Sequence, residues 1–178
     1  ETMSPSAWAL ARSRPDVEAI PFNQLISTAE FHSMLGDIEG VALGVTPFGR
    51  PELAVSPRMR VVARIGVGYD AVDVPALTEK RIPLMIAGIA NSPSVAEQAI
   101  FFMMALAKRH AELDAQVRGG RWNDRFGSLP FDLFEKTVLI VGFGRIGTRT
   151  AKRCLAMDMT VLVFDPYVSA DTIRAAGC

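Results

Sequence analysis

The sequence predicts an α/β protein built on parallel sheet, and three observations carry that expectation. Apolar runs of about five residues alternate with helical patterns of about ten, the rhythm of crossover units that join parallel strands. One such unit, near the C-terminal end, carries three glycines between its strand and its helix (IVGFGRIG). The chain has 178 residues, 49% of them hydrophobic, which is ample for a packed core in one large or two small domains.

Each element has a local justification. Ser4-Pro5 reads as an N-cap followed by proline at the first helical position, opening a helix toward Arg12. Val17–Pro21 reads as a short strand, and Thr28–Leu35 as a helix closed by Gly36. Gly40–Val45 is the next strand, and Met59–Ile65 is another apolar run ending in Gly66-Val67-Gly68. Val74–Lys80 is helical and Ile82–Ile86 returns to strand. After Ala90 the pattern changes. Asn91-Ser92-Pro93 is turn chemistry, and Ser94-Val95-Ala96-Glu97 reads as a capping box that makes Glu97 a helix-capping residue. The helix it opens, to about Arg109, is apolar on nearly every side and is expected to be buried all round, between domains or against another subunit. Arg118–Pro130 is a loop, Thr137–Val141 a strand, Ile146 onward a helix, and Thr160–Phe164 a strand ended by Asp165.

Composition narrows the function classes. Nineteen basic and nineteen acidic side chains cancel, so no long-range field draws the chain onto nucleic acid or an anionic membrane. The longest apolar runs, such as Ala99–Ala107, are about half of what a bilayer span requires. Glu1-Thr2-Met3 shows no leader pattern. Cys154 and Cys178 flank a predicted strand without metal-ligand spacing, which fits a reduced, cytoplasmic protein with no metal, and Cys154 falls at a helical core position.

The glycines at 142, 144 and 147 follow a β-branched strand and precede a helix, the context that gives G-x-G-x-x-G its meaning. Gly142 permits the tight turn, Gly144 lets a pyrophosphate approach the backbone, and Gly147 lets the helix pack close to the sheet. With Arg145 and Ile146, they form the helix N-terminus, whose unpaired N–H groups and dipole favour phosphate. Asp165 follows at close to the roughly 20-residue spacing expected of the acid that holds an adenosine ribose. No arginine neighbours it in Asp165-Pro166-Tyr167, so NAD is expected over NADP. The competing reading is a nucleotide-free strand–turn–helix with Asp165 as a solvated strand end.

Three segments in order, RVVARIGVGYDAVDVPALTEKRIPL, ANSPSVAEQAIFFMMALAKR and KTVLIVGFGRIGTRTAKRCLAMDMTVLVFDPY, resemble the D-isomer-specific 2-hydroxyacid dehydrogenases, from about Met59 to Gly177. The resemblance implies a flavodoxin-like substrate domain portion (1–91) followed by the first half of a Rossmann dinucleotide-binding domain (92–178). It implies a NAD-dependent oxidoreductase that moves a hydride between the cofactor and a small 2-hydroxy or 2-keto acid, working as a homodimer. Val67 and Gly68 match the loop whose amides hold the substrate carboxylate, and Val95 the segment near the nicotinamide.

Glu135 and Asp158 stand where the family favours glycine. The family's catalytic arginine, glutamate and histidine match no position here, and the family starts with a strand where this chain starts with a helix, so the chain is expected to be part of a longer polypeptide. His32 and His110 are expected to be surface or interface histidines rather than substitutes. Tyr69 and Phe48 could each shape a pocket or belong to the core. Two alternatives stay open: a non-catalytic NAD-sensing interaction protein, and an assembly piece pairing through the Ala96–Arg109 helix.

Overall fold

The computed structural model describes residues 3–127 and 129–178. Glu1 and Thr2, on which the leader reading partly rests, and Ser128, inside the loop expected at Arg118–Pro130, lie outside the described residues. The chain divides into two compact units, Glu1–Ala90 and Asn91–Cys178.

In the first unit α1 (Pro5–Arg12) begins as expected: the Ser4 hydroxyl accepts from Ala7 N–H, and Pro5 occupies the first turn. α2 (Thr28–Met34) is closed at its start by a capping box, with Ser27 Oγ accepting from Glu30 N–H and Glu30 accepting from Ser27 N–H. It ends one residue earlier than predicted and tightens into a 3₁₀ turn, Leu35–Asp37, so Gly36 sits inside that turn instead of terminating the helix. β1 (Gly40–Leu43), β2 (Val61–Arg64) and β3 (Leu84–Ile86) form a parallel sheet in that order. Its register pairs Gly40 with Val61 and Val62 with Leu84. α4 (Val74–Glu79) crosses from β2 to β3, capped by the Asp73 carboxylate accepting from Ala76 N–H at 2.9 Å.

Two departures occur here. Val17–Pro21 is not a strand: among the described residues it joins no ladder, and β1 has no hydrogen-bonded neighbour on its outer side. A strand exists only through a partner, and local propensity cannot supply one. Conversely α3 (Arg50–Ala54), a five-residue helix, had no sequence signal long enough to read. Its Glu52 carboxylate accepts from Gly49 N–H at 2.7 Å and pairs with His32 Nε2 at 2.9 Å, so His32 joins α2 to α3. Burial pushes the Glu52 carboxyl up, but the hydrogen bonds from His32 and Gly49 outweigh it and hold it below the ordinary range. The core gathers Phe31, Leu35, Leu43, Phe48, Val62 and Leu77. Phe48 is thus core, while Tyr69 is exposed.

The second unit opens on α5 (Ser92–Ala107). It starts two residues before the predicted capping box, with Pro93 in its first turn, where a missing N–H costs nothing. Ser94 therefore caps nothing. Glu97 instead pairs with Arg153 at 3.2 Å, tying α5 to α7 (Gly147–Leu155). Within this chain α5 buries only Ser92, Ala96 and Ala107 among its described residues, and Phe101, Phe102 and Leu106 are exposed. Arg109, at φ 50°, breaks it from α6 (His110–Arg118), a helix not anticipated from the sequence, and a 3₁₀ turn, Trp122–Phe126, interrupts the predicted loop.

β4 (Thr137–Val141) and β5 (Thr160–Phe164) match the predicted strands and pair in parallel from Thr137↔Thr160 to Val141↔Phe164. Ile140 and Val161 face a core with Ala151 and Cys154, and Cys154 is fully buried as expected. Leu139, Val141, Leu162 and Phe164 form the opposite, exposed face. α8 (Ala170–Ala175) is capped by Ser169, whose hydroxyl accepts from Thr172 N–H.

The two departures from glycine are the places where glycine is preferred. Glu135 has φ 57° and Asp158 φ 55°, and Glu135 N–H donates to the Asp158 carbonyl at 3.0 Å, so two left-handed residues close one turn pair beneath the sheet. Glu135→Gly should raise unfolding stability by about 0.5–1 kcal/mol. Asp158→Gly should do less, since aspartate tolerates this region better. Urea denaturation of the two variants beside the parent checks both sign and order.

Candidate cofactor and anion sites

The glycine segment occupies the turn between β4 and α7. Gly142 continues the ladder, donating its N–H to the Phe164 carbonyl at 2.8 Å, then turns the chain with φ 96°, a conformation that excludes other residues at low cost. Gly147 is required for a different reason. A Cβ there would lie 2.0 Å from the Gly142 carbonyl oxygen, so the first turn of α7 packs against the end of β4 with no room for a side chain. In front of Gly144 a Cβ would meet nothing within 4 Å, so this backbone faces open space. Thr148 and Thr150 donate back to the Gly144 and Ile146 carbonyls, which starts the helix early. Among the described residues no backbone carbonyl accepts from Gly144 N–H or Ile146 N–H. Those donors point where a helix N-terminus attracts anions.

Asp165 closes this mouth. One carboxylate oxygen accepts from Phe143 N–H at 2.6 Å, and the other from Tyr167 N–H at 2.8 Å and Val168 N–H at 3.2 Å. The Phe143 bond, more than the others, holds the Asp165 carboxyl below its usual range. Each carboxylate oxygen accepts about two hydrogen bonds, so the oxygen bound to Phe143 keeps capacity for a hydroxyl. The three glycines, Arg145, Ile146 and Asp165 are therefore brought to one strand end. The residues fit a dinucleotide: a bare backbone for its pyrophosphate, and an anion that tolerates ribose hydroxyls and repels an added phosphate. Val95 lies in the first turns of α5, half-exposed, two residues before the Glu97–Arg153 pair.

In the first unit Gly66-Val67-Gly68 follows β2. Ala87 N–H donates to the Gly66 carbonyl at 2.9 Å, anchoring the loop to the end of β3. Arg64, the last residue of β2, donates from Nε to the Gly68 carbonyl at 2.8 Å and from Nη1 to the Leu43 carbonyl at 3.2 Å. It clamps the loop that holds Val67 and Gly68 and places a guanidinium beside it. The sequence reading absorbed Arg64 into an apolar strand. The available signal was a cation interrupting that run directly before a glycine pair. His110 opens α6, and the described residues hold no cluster of three His, Cys, Asp or Glu side chains suited to a metal.

The second unit thus defines a class, the dinucleotide-binding α/β unit. Residues 100–178 match the family model described as D-isomer specific 2-hydroxyacid dehydrogenase, NAD binding domain. D-3-phosphoglycerate dehydrogenase 2, chloroplastic, of Arabidopsis thaliana is 39% identical over 124 residues, 70% of this chain and 20% of that protein. The D-3-phosphoglycerate dehydrogenase of Mycobacterium leprae is 40% identical over 117 residues, 66% of this chain and 22% of that one. A solved D-lactate dehydrogenase from Aquifex aeolicus, complexed with NAD and lactic acid, aligns with a TM-score of 0.74 at 28% identity, over 83% of this chain and 44% of its own. Residues 100–178 match the NAD-binding domain of that family, and the chain is similar to these curated relatives while spanning about a fifth of their length.

The depressed Asp165 carboxyl has a consequence with a defined sign. Its bond to Phe143 contributes in full above the ordinary carboxylate value near 3.8 and is lost as pH falls through the lower folded-state value. Acid titration followed by NMR should move the Phe143 amide signal with a midpoint below 3.8, and Asp165→Asn should abolish that movement.

Proposed function

We propose that this chain is part of a NAD-dependent oxidoreductase that transfers a hydride between the nicotinamide and a small 2-hydroxy or 2-keto acid. The observation that carries the proposal is the glycine turn with Asp165 at its mouth, in a stretch that matches an NAD-binding domain. Gly142, Gly144, Arg145, Ile146 and Gly147 hold the pyrophosphate against the start of α7. Asp165 accepts from the adenosine ribose, and Val95 borders the nicotinamide. The cofactor supplies the hydride chemistry when bound; the chain orients it and excludes NADP by charge. The Val67 and Gly68 amides, on a loop steadied by Arg64, grip the carboxylate of the acid. The substrate class is supported by the D-3-phosphoglycerate and D-lactate dehydrogenases among the relatives. No residue of this chain is assigned the proton transfer.

Cytoplasmic residence is part of the same proposal, supported by two free thiols. No helix among the described residues is long and apolar enough to cross a membrane. The exposed Phe101, Phe102 and Leu106 on α5 support pairing of two copies along that helix.

Titrating the protein with NADH, followed by energy transfer from tryptophan, should give saturable binding. Asp165→Ala should weaken it by about tenfold, and NADPH should bind the parent more weakly by a similar factor. Absence of saturation, or equal affinity for the two cofactors, would overturn the assignment. For the pairing, light scattering should report twice the chain mass, and Phe102→Asp should shift it toward the single-chain value by placing a charge in the interface.

A further inference from the structure

The charge that cancels over the whole chain does not cancel locally. From Lys136 to Met157 the sequence holds five cations, Lys136, Arg145, Arg149, Lys152 and Arg153, and no acid. Three of them come together on α7, where Thr148, Arg149, Lys152, Arg153 and Ala156 line an open groove. Their spacing is that of one helical face. Arg153 is fixed there from two directions: Nη1 donates to the Arg149 carbonyl at 3.0 Å, and Nη2 to Glu97 of α5 at 3.2 Å. Among the described residues Glu97 is the one acid paired with these three cations, so the groove keeps a formal charge of +2. Arg149 Nε is buried without an acceptor among the described residues. Cations in the last turn complement the helix dipole, but that effect asks only for exposed charge and leaves a buried, unpaired donor unexplained.

We infer that this groove binds a phosphomonoester, at a site separate from the glycine turn that begins the same helix. Lys152 lies about 7.5 Å along the axis from Gly147, a turn and a half beyond that turn. The orphan Nε–H of Arg149 selects an acceptor that approaches the guanidinium side-on, the geometry in which arginine grips a phosphate through two parallel bonds. A phosphomonoester carries a charge near −2 at neutral pH and three terminal oxygens. That charge matches the groove, and the oxygens reach Arg149, Lys152 and the N–H groups that Arg153 has not spent. A carboxylate brings half of the charge and two coplanar oxygens, which leaves one cation uncompensated. The groove is open, so the organic part of the ester projects into solvent and recognition rests on the phosphoryl group.

The probe is glycerol 2-phosphate, titrated into isotopically labelled protein at low salt. The readout is the NMR signal of the Arg149 Nε–H, identified by comparison with Arg149→Lys. Saturable movement of that signal and of the 149–153 amides, with a Kd of about 1 mM or below, is expected. Arg149→Lys keeps the charge but not the fork and should weaken binding about tenfold, read at the 152 and 153 amides. Lys152→Gln should weaken it similarly. Glu97→Gln should strengthen it severalfold by releasing the Arg153 charge, a sign that a purely structural role for these cations would not give. Sodium acetate at equal ionic strength should leave the Arg149 signal in place, and NADH should not displace the ester. No saturation at about 20 mM, an equal response to acetate, displacement by NADH, or movement confined to the Gly144 and Ile146 amides would overturn the inference. The titration itself is read without cofactor, so its failure is distinct from a failure of NAD binding.

Discussion

A single carboxylate determines the geometry of the second unit's working end. Asp165 leaves the tip of β5 and accepts the N–H of Phe143, the residue between Gly142 and Gly144, at 2.6 Å. A charge-assisted bond of this length is among the stronger contacts available at a loop. It joins the ends of two parallel strands across the turn that follows one of them. Gly147 supplies the second constraint from the opposite side, by letting α7 approach the Gly142 carbonyl to a distance no side chain permits. Strand end, turn and helix start are thereby held together, and among the described residues no backbone carbonyl accepts from the Gly144 or Ile146 N–H. An anion can be bound there with little further ordering, which is what makes preorganised backbone effective.

The first unit solves a similar problem with the opposite charge. Arg64 ends β2 and bonds the carbonyl of Gly68 and that of Leu43 on β1. Its guanidinium spans neighbouring strand ends and holds the glycine loop, leaving that loop's N–H groups unspent by the clamp itself. In both units the glycine loop follows a parallel strand at its C-terminal end, where open α/β sheets place their ligands. The difference in sign follows from which backbone groups are held: an acid accepts from amides, and a guanidinium donates to carbonyls.

Much of the fold was legible because it is written in short-range terms. β4 and β5 carry strong β-branched runs bounded by turn residues, and their limits in the structure are those read from the sequence. Ser4, read as a cap from the sequence, caps α1 through a bond three residues long, and such a signal needs no tertiary context; Ser27 and Asp73 cap α2 and α4 in the same way, though the sequence reading did not name them. The misreadings share one cause. Val17–Pro21 has the composition of a strand but lacks a neighbour, Ser94 has the spacing of a cap but lies inside a helix started earlier, and Glu97 finds Arg153 on another helix. Arg64 escaped notice because its two carbonyl partners lie on different segments. Each outcome turns on a partner distant in the chain, which a local pattern does not name.

By itself the sequence determined the alternation of elements, the position of the glycine turn, and the acid that follows it, since these rest on backbone sterics and on bonds of short reach. Only the tertiary structure decided that Asp165 spends a carboxylate oxygen on Phe143, that His32 belongs to α3 by way of Glu52, and that Glu97 meets Arg153 of α7. Those are matters of which surfaces meet. Apolar burial is non-directional, so a run of valines states that it must be covered without stating by what.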